Sequence, residues 1–324
     1  ARTIHRLLEY QGGAVGFARD ADNPLEGQLF VVDELSMVDL PLMAAFLTAL
    51  PAGAHLLLVG DVDQLPSVGP GCVLADLIGS GLVPVVRLTE IFRQAEESRI
   101  VRAAHEINEG RLPPELERGA PHAKGKDFFF IERDDPEAAV ETLIHLVRER
   151  LPEHFGFDPF SDIQVLTPMH RGSLGTVALN ARLQDALNPA NEASFEIERF
   201  GAHYRRGDKV IQLRNNYDKE VFNGDIGRVA EINTDPGRVE VQFEGGKLTE
   251  YEPGELDELS PAYAITVHKS QGSEFPCVLV PVASQQYVLL QRNLLYTAVT
   301  RGKRVVVLIG QRKAAAMAVR NVED

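Results

Sequence analysis

The sequence contains no tryptophan and only two cysteines, Cys72 and Cys277, in 324 residues. Two thiols cannot form a disulfide framework and lack the paired spacing of a zinc site, so reduced thiols in a cytosolic protein are the expectation. No apolar run approaches the ~20 residues that a membrane-spanning helix needs. No basic-then-apolar leader marks secretion either, so a cytoplasmic protein without a membrane partner is expected. Positive charge is scarce, with 33 Lys and Arg against 47 Asp and Glu and a formal charge of −14. That balance argues against a protein that coats nucleic acid by bulk charge, and leaves room for a narrow basic groove. Hydrophobic residues at 44% and charged residues at 25% are ordinary for a globular chain, which removes wholesale disorder and collagen-like structure. The length suits about two domains, each able to bury a core.

Several apolar runs do not alternate and read as buried parallel strands: Leu29 to Val32, His55 to Val59, Ile163 to Leu166, Cys277 to Val282 and Arg304 to Ile309. Helical patterns lie between them at Leu40 to Leu50, Ser98 to Glu109, Pro136 to Arg150 and Thr176 to Leu187. Strands alternating with helices predict an α/β architecture. Three strands end in polar tips, Asp33-Glu34, Gly60-Asp61 and Thr167-Pro168, at the edge where open α/β sheets bind ligands. From about Phe200 to Leu259 the runs become short and alternating, punctuated by Asn223-Gly224-Asp225, Asp235-Pro236-Gly237 and Gly245-Gly246. This predicts a small antiparallel barrel inserted in the second α/β domain, since buried-strand texture resumes at Ala264. A Gly-, Asp- and Pro-rich stretch from Gln11 to Gln28 predicts a hairpin or loop.

The strand Leu29-Phe30-Val31-Val32 ends in Asp33 and Glu34. Phosphoryl-transfer enzymes use such a pair, one carboxylate holding Mg²⁺ and the next orienting or deprotonating water; the start of an ordinary loop explains the pair as well. Leu56 to Gly69 repeats the pattern, with Gly60 permitting close backbone approach and Gln64 able to donate to a phosphate, or simply to sit in a surface loop. Arg93 and Arg301 each suit a solvated charge, or a finger that neutralises charge developing on a γ-phosphate. The string Ala264 to Glu274 packs His268, Lys269, Ser270, Gln271 and Gly272 together, a density of donors that suits a loop touching phosphates or sugars better than a core.

Taken in order, TIHRLL, VVDELSM, LLLVGDVDQLPSVGPG, LTEIFRQ, LTPMHRGSLGTVALN, NGDIG, YAITVHKSQGSE and YTAVTRGK resemble a superfamily 1 DNA helicase across nearly the whole chain. They are most similar to the RecD-type branch, the exodeoxyribonuclease V alpha-chain family. The resemblance implies two RecA-like motor domains, the first incomplete, with a small SH3-like β-barrel inserted in the second. It places the first domain at 1–90 with a strand-separating pin at 11–28, the second at 91–199 and 260–324, and the barrel at 200–259. Asp33 and Glu34 match the pair that serves Mg²⁺ and water, and Gln64 the γ-phosphate sensor. Arg93 and Arg301 match two arginine fingers across the cleft between motor domains, and Gly272 and Glu274 lie on the nucleotide side. Thr3, Ile4, His5, Pro66, Ser67, Pro168, Arg171, Thr266, His268 and Lys269 match positions that face single-stranded DNA. ATP and Mg²⁺ are the implied cofactors. Single-stranded DNA and its junctions with duplex are the implied partners, with nuclease or second helicase subunits beside them, and 5′-to-3′ travel is implied.

The departure is the phosphate-cradling G-x-x-x-x-G-K-[ST] loop, for the sequence has no Gly-Lys-Ser or Gly-Lys-Thr. The expectation is a piece of a longer helicase whose loop precedes Ala1, with nucleotide affinity low in its absence. Two rivals remain open. One is a DNA-binding subunit with a decayed nucleotide site; the other is a barrel that docks protein, with Arg205, Arg206 and Lys209 at its start leaning towards nucleic acid.

Overall fold

The computed structural model describes residues 2–11, 16–88, 98–117, 127–190, 196–233, 235 and 237–322. The chain forms two compact units, Ala1–Ile91 and Phe92–Asp324.

In the first unit β1 (Leu29–Val32) and β2 (His55–Leu58) run parallel, with Val32 level with Leu58. Helix α1 (Ile4–Leu7) starts at Thr3, whose hydroxyl accepts from Arg6 N. Helix α2 (Leu40–Thr48) starts at Asp39, whose carboxylate accepts from Leu42 N at 2.8 Å, with Pro41 in the first turn. Helix α3 (Val73–Ser80) stops at Gly81, which takes the left-handed conformation a C-terminal cap favours. Leu8, Val32, Leu35, Met43 and Phe46 form this unit's core. The expectation that both strands are buried on both faces is not met: Leu29, Val31 and Leu57 are 63%, 58% and 52% exposed. The helices pack on one face, and a uniformly apolar run does not reveal which faces will be covered. The hairpin expected over 11–28 begins with an antiparallel bridge between Tyr10 and Phe17. Residues 12–15 lie outside the described residues, and Asp20 then turns the chain by accepting from the backbone of Asp22 and Asn23.

The second unit is built on a five-stranded parallel sheet. In chain order it contains α4 (Arg99–Asn108), β3 (Phe128–Glu132), α5 (Pro136–His145), a π turn at Leu146–Arg150, α6 (Leu151–Phe155), β4 (Ile163–Thr167) and α7 (Thr176–Leu187). Then follow β5 (Glu196–Arg199), β6 (Ala202–Arg205), β7 (Lys209–Gln212), β8 (Ile226–Asn233), β9 (Arg238–Phe243), β10 (Leu248–Tyr251) and β11 (Leu259–Pro261). The chain closes with β12 (Ala264–Thr266), β13 (Phe275–Val282), α8 (Arg292–Thr300), β14 (Gly302–Gly310) and α9 (Arg312–Arg320). The sheet order is β12-β4-β13-β14-β3, and every residue of β4 is buried. Edge strand β3 is not anticipated, because four apolar residues are too few for periodicity to separate strand from helix.

Strands β7 to β11 form a separate antiparallel sheet in the order β10-β9-β8-β7-β11, joined by the β5-β6 hairpin. Its core runs from Ile197 and Tyr204 to Leu256 and Leu259, so it takes in a strand just ahead of Phe200. Buried polar groups fasten this small domain to the parallel sheet. The Asp208 carboxylate accepts from Gln184 Nε2 (2.6 Å), Asn188 Nδ2 (2.7 Å), Tyr263 OH (2.8 Å) and Arg205 N (2.6 Å). The Lys209 ammonium donates to the Ile163 carbonyl at 3.0 Å. No helix among the described residues is long and apolar enough to cross a membrane.

Candidate functional site

The polar tips of the first unit come together because β1 and β2 are parallel neighbours in register. Asp33 follows β1 and is exposed, its Oδ1 accepting from Glu34 N at 2.8 Å. Glu34 adopts φ +53°, a left-handed conformation that costs a non-glycine residue about 1 kcal/mol. Leu35 N donates to the Val59 carbonyl, which ties the Asp33-Glu34 turn to the end of β2. Gln64 is buried; its Nε2 donates to Asp61 Oδ2 at 3.1 Å, while its Oε1 has no partner. Ser36 Oγ is likewise buried without a partner. Unpaired buried oxygens are uncommon and ask for an explanation. Here both sit beside the strand tips where water and phosphate are expected. The exposed Asp33 carboxylate suits a hydrated Mg²⁺. No three His, Cys, Asp or Glu side chains cluster as a metal site among the described residues; a magnesium ion held by one or two carboxylates, water and substrate phosphates needs no such cluster.

The other positions expected in the first unit are also placed. Thr3 is exposed, its hydroxyl engaged in the cap of α1, and Ile4 packs against the core. The His5 ring lies 5.6 Å from Tyr10 and 5.7 Å from Phe17. Pro66 and Ser67 are half-buried, and the Ser67 hydroxyl donates to the carbonyls of Gly69 and Gly71. Arg93 lies outside the described residues.

In the second unit β12 lies beside β4 with Thr266 level with Thr167, so the segments after both strands meet at one edge. Pro168 is buried and presents no surface to a ligand in this conformation. The turn exposes His170 and Arg171 instead. It is held closed by Thr167 Oγ1 donating to the Leu174 carbonyl at 2.6 Å and by His170 Nδ1 lying 3.1 Å from Thr176 Oγ1. Only glycine fits at 175, where a Cβ would lie 2.5 Å from the carbonyl oxygens of His170 and Arg171. Opposite, buried Thr266 accepts from Lys269 N and caps a short turn that carries His268 to solvent and leaves Lys269 half-buried. Partial burial, and then the neighbouring His170, lower the pKa of His268; burial lowers that of Lys269.

From there the chain runs back to the start of β13, so Gly272 and Glu274 lie at the opposite edge. Glu274 pairs with Lys303 at 2.7 Å. Arg301 stands at the same edge but is turned inward and 5% exposed. Its Nε donates to the Thr297 carbonyl (3.3 Å), Nη1 to the Ser273 carbonyl (3.2 Å) and Nη2 to Thr300 Oγ1 (3.4 Å). A guanidinium so deeply buried must turn outward before it can meet a phosphate. Ser36 and His170 escape the sequence reading. Their signal is position, one in the turn after β1 and the other in the turn after β4.

Three family models match the chain: an AAA domain over 1–124, an ATP-dependent RecD-like DNA helicase SH3 domain over 179–243, and a UvrD-like helicase C-terminal domain over 261–309. The ATP-dependent RecD2 DNA helicase of Deinococcus radiodurans is 38% identical over 303 residues, covering 94% of this chain and 39% of that protein. The RecBCD enzyme subunit RecD of Mycobacterium tuberculosis is 34% identical over 332 residues, covering 98% of this chain and 55% of that protein. The chain thus spans between two fifths and just over half of these relatives. Among solved structures, a Bacteroides Pif1 helicase in complex with ADP-AlF3 and single-stranded DNA shares the fold, with a TM-score of 0.51 at 18% identity over 99% of this chain and 81% of that one.

Proposed function

The chain belongs to the RecD-type branch of the superfamily 1 helicases, and from that premise we propose that it is the motor portion of an ATP-dependent DNA helicase. It travels on single-stranded DNA, 5′ to 3′, and opens duplex at junctions during repair or recombination, with nuclease or second helicase subunits as the implied class of partner. One observation carries this. The adjacent ends of β4 and β12 present His170, Arg171, His268 and Lys269 together, while Glu274 and Arg301 stand at the opposite edge of the same sheet. That separation suits a backbone-gripping surface on one side and a nucleotide-responsive one on the other.

Asp33 would hold Mg²⁺ through one carboxylate, and bound Mg²⁺ would neutralise charge on the phosphates. Glu34 takes the proton of the attacking water. Gln64 Nε2 exchanges Asp61 for the γ-phosphate, and its unpaired Oε1 accepts from the attacking water. Arg301 leaves the Thr297 and Ser273 carbonyls for a nucleotide phosphate. The result is a phosphate-dependent shift between two conformations of the Arg301 edge, which the descending segment 267–274 connects to the His268-Lys269 turn. The 324 residues hold no Gly-Lys-Ser or Gly-Lys-Thr loop, so by themselves they do not hydrolyse ATP.

Fluorescence anisotropy with labelled oligonucleotides of unrelated sequence tests the DNA assignment. Binding is expected to weaken steeply with salt and to depend little on sequence, and Arg171→Ala is expected to lower the salt slope by about 0.7. Absence of binding at low salt, or a slope unchanged by Arg171→Ala, rejects it.

A further inference from the structure

The Asn223-Gly224-Asp225 turn of the small barrel has no role in the function proposed above. Yet its side chain at 223 reaches the motor sheet: Lys269 Nζ donates to Asn223 Oδ1 at 3.2 Å. We propose that Asn223 is a positioning residue, holding the Lys269 ammonium for a DNA phosphate and making the inserted barrel part of the DNA-gripping surface. The inference rests on the assignment of the 266–269 turn to single-stranded DNA.

Three observations support it. First, Asn223 is held in place. Its backbone N donates to Asn215 Oδ1 at 2.9 Å, Gly224 N donates to the Gln212 carbonyl at 2.9 Å, and Asp225 Oδ2 accepts from Phe222 N at 2.8 Å. The turn needs glycine at 224, where φ is +98°. Second, the backbone of the other partner is also held, since Lys269 lies in the turn Val267–Ser270, capped by Thr266 on buried strand β12. The barrel and that strand are joined by Asp208, which accepts from Tyr263 just before β12. Third, the partner of Lys269 is neutral. Three other lysines are set against carboxylates, Lys219 against Glu255, Lys247 against Glu220 and Lys303 against Glu274, and the buried Lys209 meets a carbonyl instead. A carboxylate at 223 would cancel the ammonium charge, whereas an amide oxygen restrains the side chain and leaves its charge for a phosphate. Fixing a flexible four-carbon stem beforehand removes part of the entropy cost of binding.

The test is a double-mutant cycle on the full 324-residue chain, read by anisotropy of a labelled oligo-dT over a range of salt, with thermal unfolding as the fold control. Lys269→Ala is expected to weaken binding and lower the salt slope by about 0.7. Asn223→Ala is expected to weaken binding about two- to tenfold with an unchanged unfolding midpoint, and to cost nothing further in the Lys269→Ala background. Asn223→Asp keeps the shape of the turn and is expected to lower the salt slope as Lys269→Ala does. Wild-type binding by Asn223→Ala, wild-type salt dependence of Asn223→Asp, or losses that add in full to that of Lys269→Ala would each overturn the inference while leaving the DNA assignment intact. If Lys269→Ala itself changes nothing, the assignment of this turn to DNA fails, and the inference with it.

Discussion

Lys209 gives the most quantitative prediction. Its ammonium lies in the joint between barrel and motor sheet, only 4% exposed, with the Ile163 carbonyl at 3.0 Å and the Phe275 ring centre at 5.9 Å. Burial pushes its pKa from 10.5 down to about 8, against the opposing pull of Asp158 and Asp162. At about 1.4 kcal/mol for each tenfold change, a fall of that size means the buried charge costs about 3 kcal/mol. The sign follows from proton counting. Between about pH 8 and 10.5 the unfolded chain holds a proton that the folded chain has released, so this group makes folding more favourable as pH rises through that window. Lys209→Met removes the charge at similar volume and forfeits one hydrogen bond to a carbonyl, worth roughly 1–2 kcal/mol. The variant is therefore expected to be more stable than the parent at pH 7 by about 1–2 kcal/mol, with the advantage shrinking and then reversing towards pH 10. Urea unfolding followed by circular dichroism at pH 7, 8, 9 and 10 measures the difference. The buried phenols Tyr204, Tyr251 and Tyr263, whose pKa values burial raises, affect both proteins alike. A difference that does not change with pH would refute the reasoning.

Three further outcomes are expected. In a longer form that carries a phosphate loop, Glu34→Gln should lower DNA-stimulated hydrolysis at least ~100-fold with DNA binding retained; near-parental turnover would remove Glu34 from the chemistry. Arg301→Lys keeps the charge but not the planar fork that spans Thr297 and Ser273, and a loss of about 10³-fold in turnover is expected in the same assay. A loss confined to the Michaelis constant would instead make Arg301 a binding group. His268 is held below its usual pKa by partial burial and by His170, and a phosphate opposite it would raise that pKa, so binding takes up a proton. Oligonucleotide affinity should therefore rise as pH falls from 8 to 6, and His268→Gln should flatten the rise; a flat parental profile contradicts it.

Much of the framework was legible because it depends on short-range pattern. The apolar runs ending at Val32, Leu166 and Val282 mark strands β1, β4 and β13, the predicted helix Thr176 to Leu187 matches α7, and the short alternating runs expected between Phe200 and Leu259 take in β7 to β10. The polar tips were legible for the same reason, since a ligand edge follows the last apolar residue of a parallel strand. What the sequence concealed depends on contacts between distant residues. Nothing local tells that Leu29 and Val31 keep an exposed face, or that Arg301 turns back on Ser273, 28 positions away. The Asp208 joint gathers donors from α7, β6 and the residue preceding β12, and the Lys269–Asn223 contact spans 46 positions. The resemblance assigns Pro168 to DNA through its place in the string, but the chain buries it and exposes His170 and Arg171 beside it.

The most direct test of the motor assignment is single-stranded-DNA-stimulated ATP hydrolysis, measured on the 324-residue chain and on a form extended to include a Gly-Lys-Ser/Thr phosphate loop ahead of Ala1. Stimulated hydrolysis by the extended form alone is the predicted result. No hydrolysis by either form, with DNA binding intact in both, would contradict it and make the chain a DNA-binding subunit in which Asp33, Glu34 and Arg301 perform no chemistry.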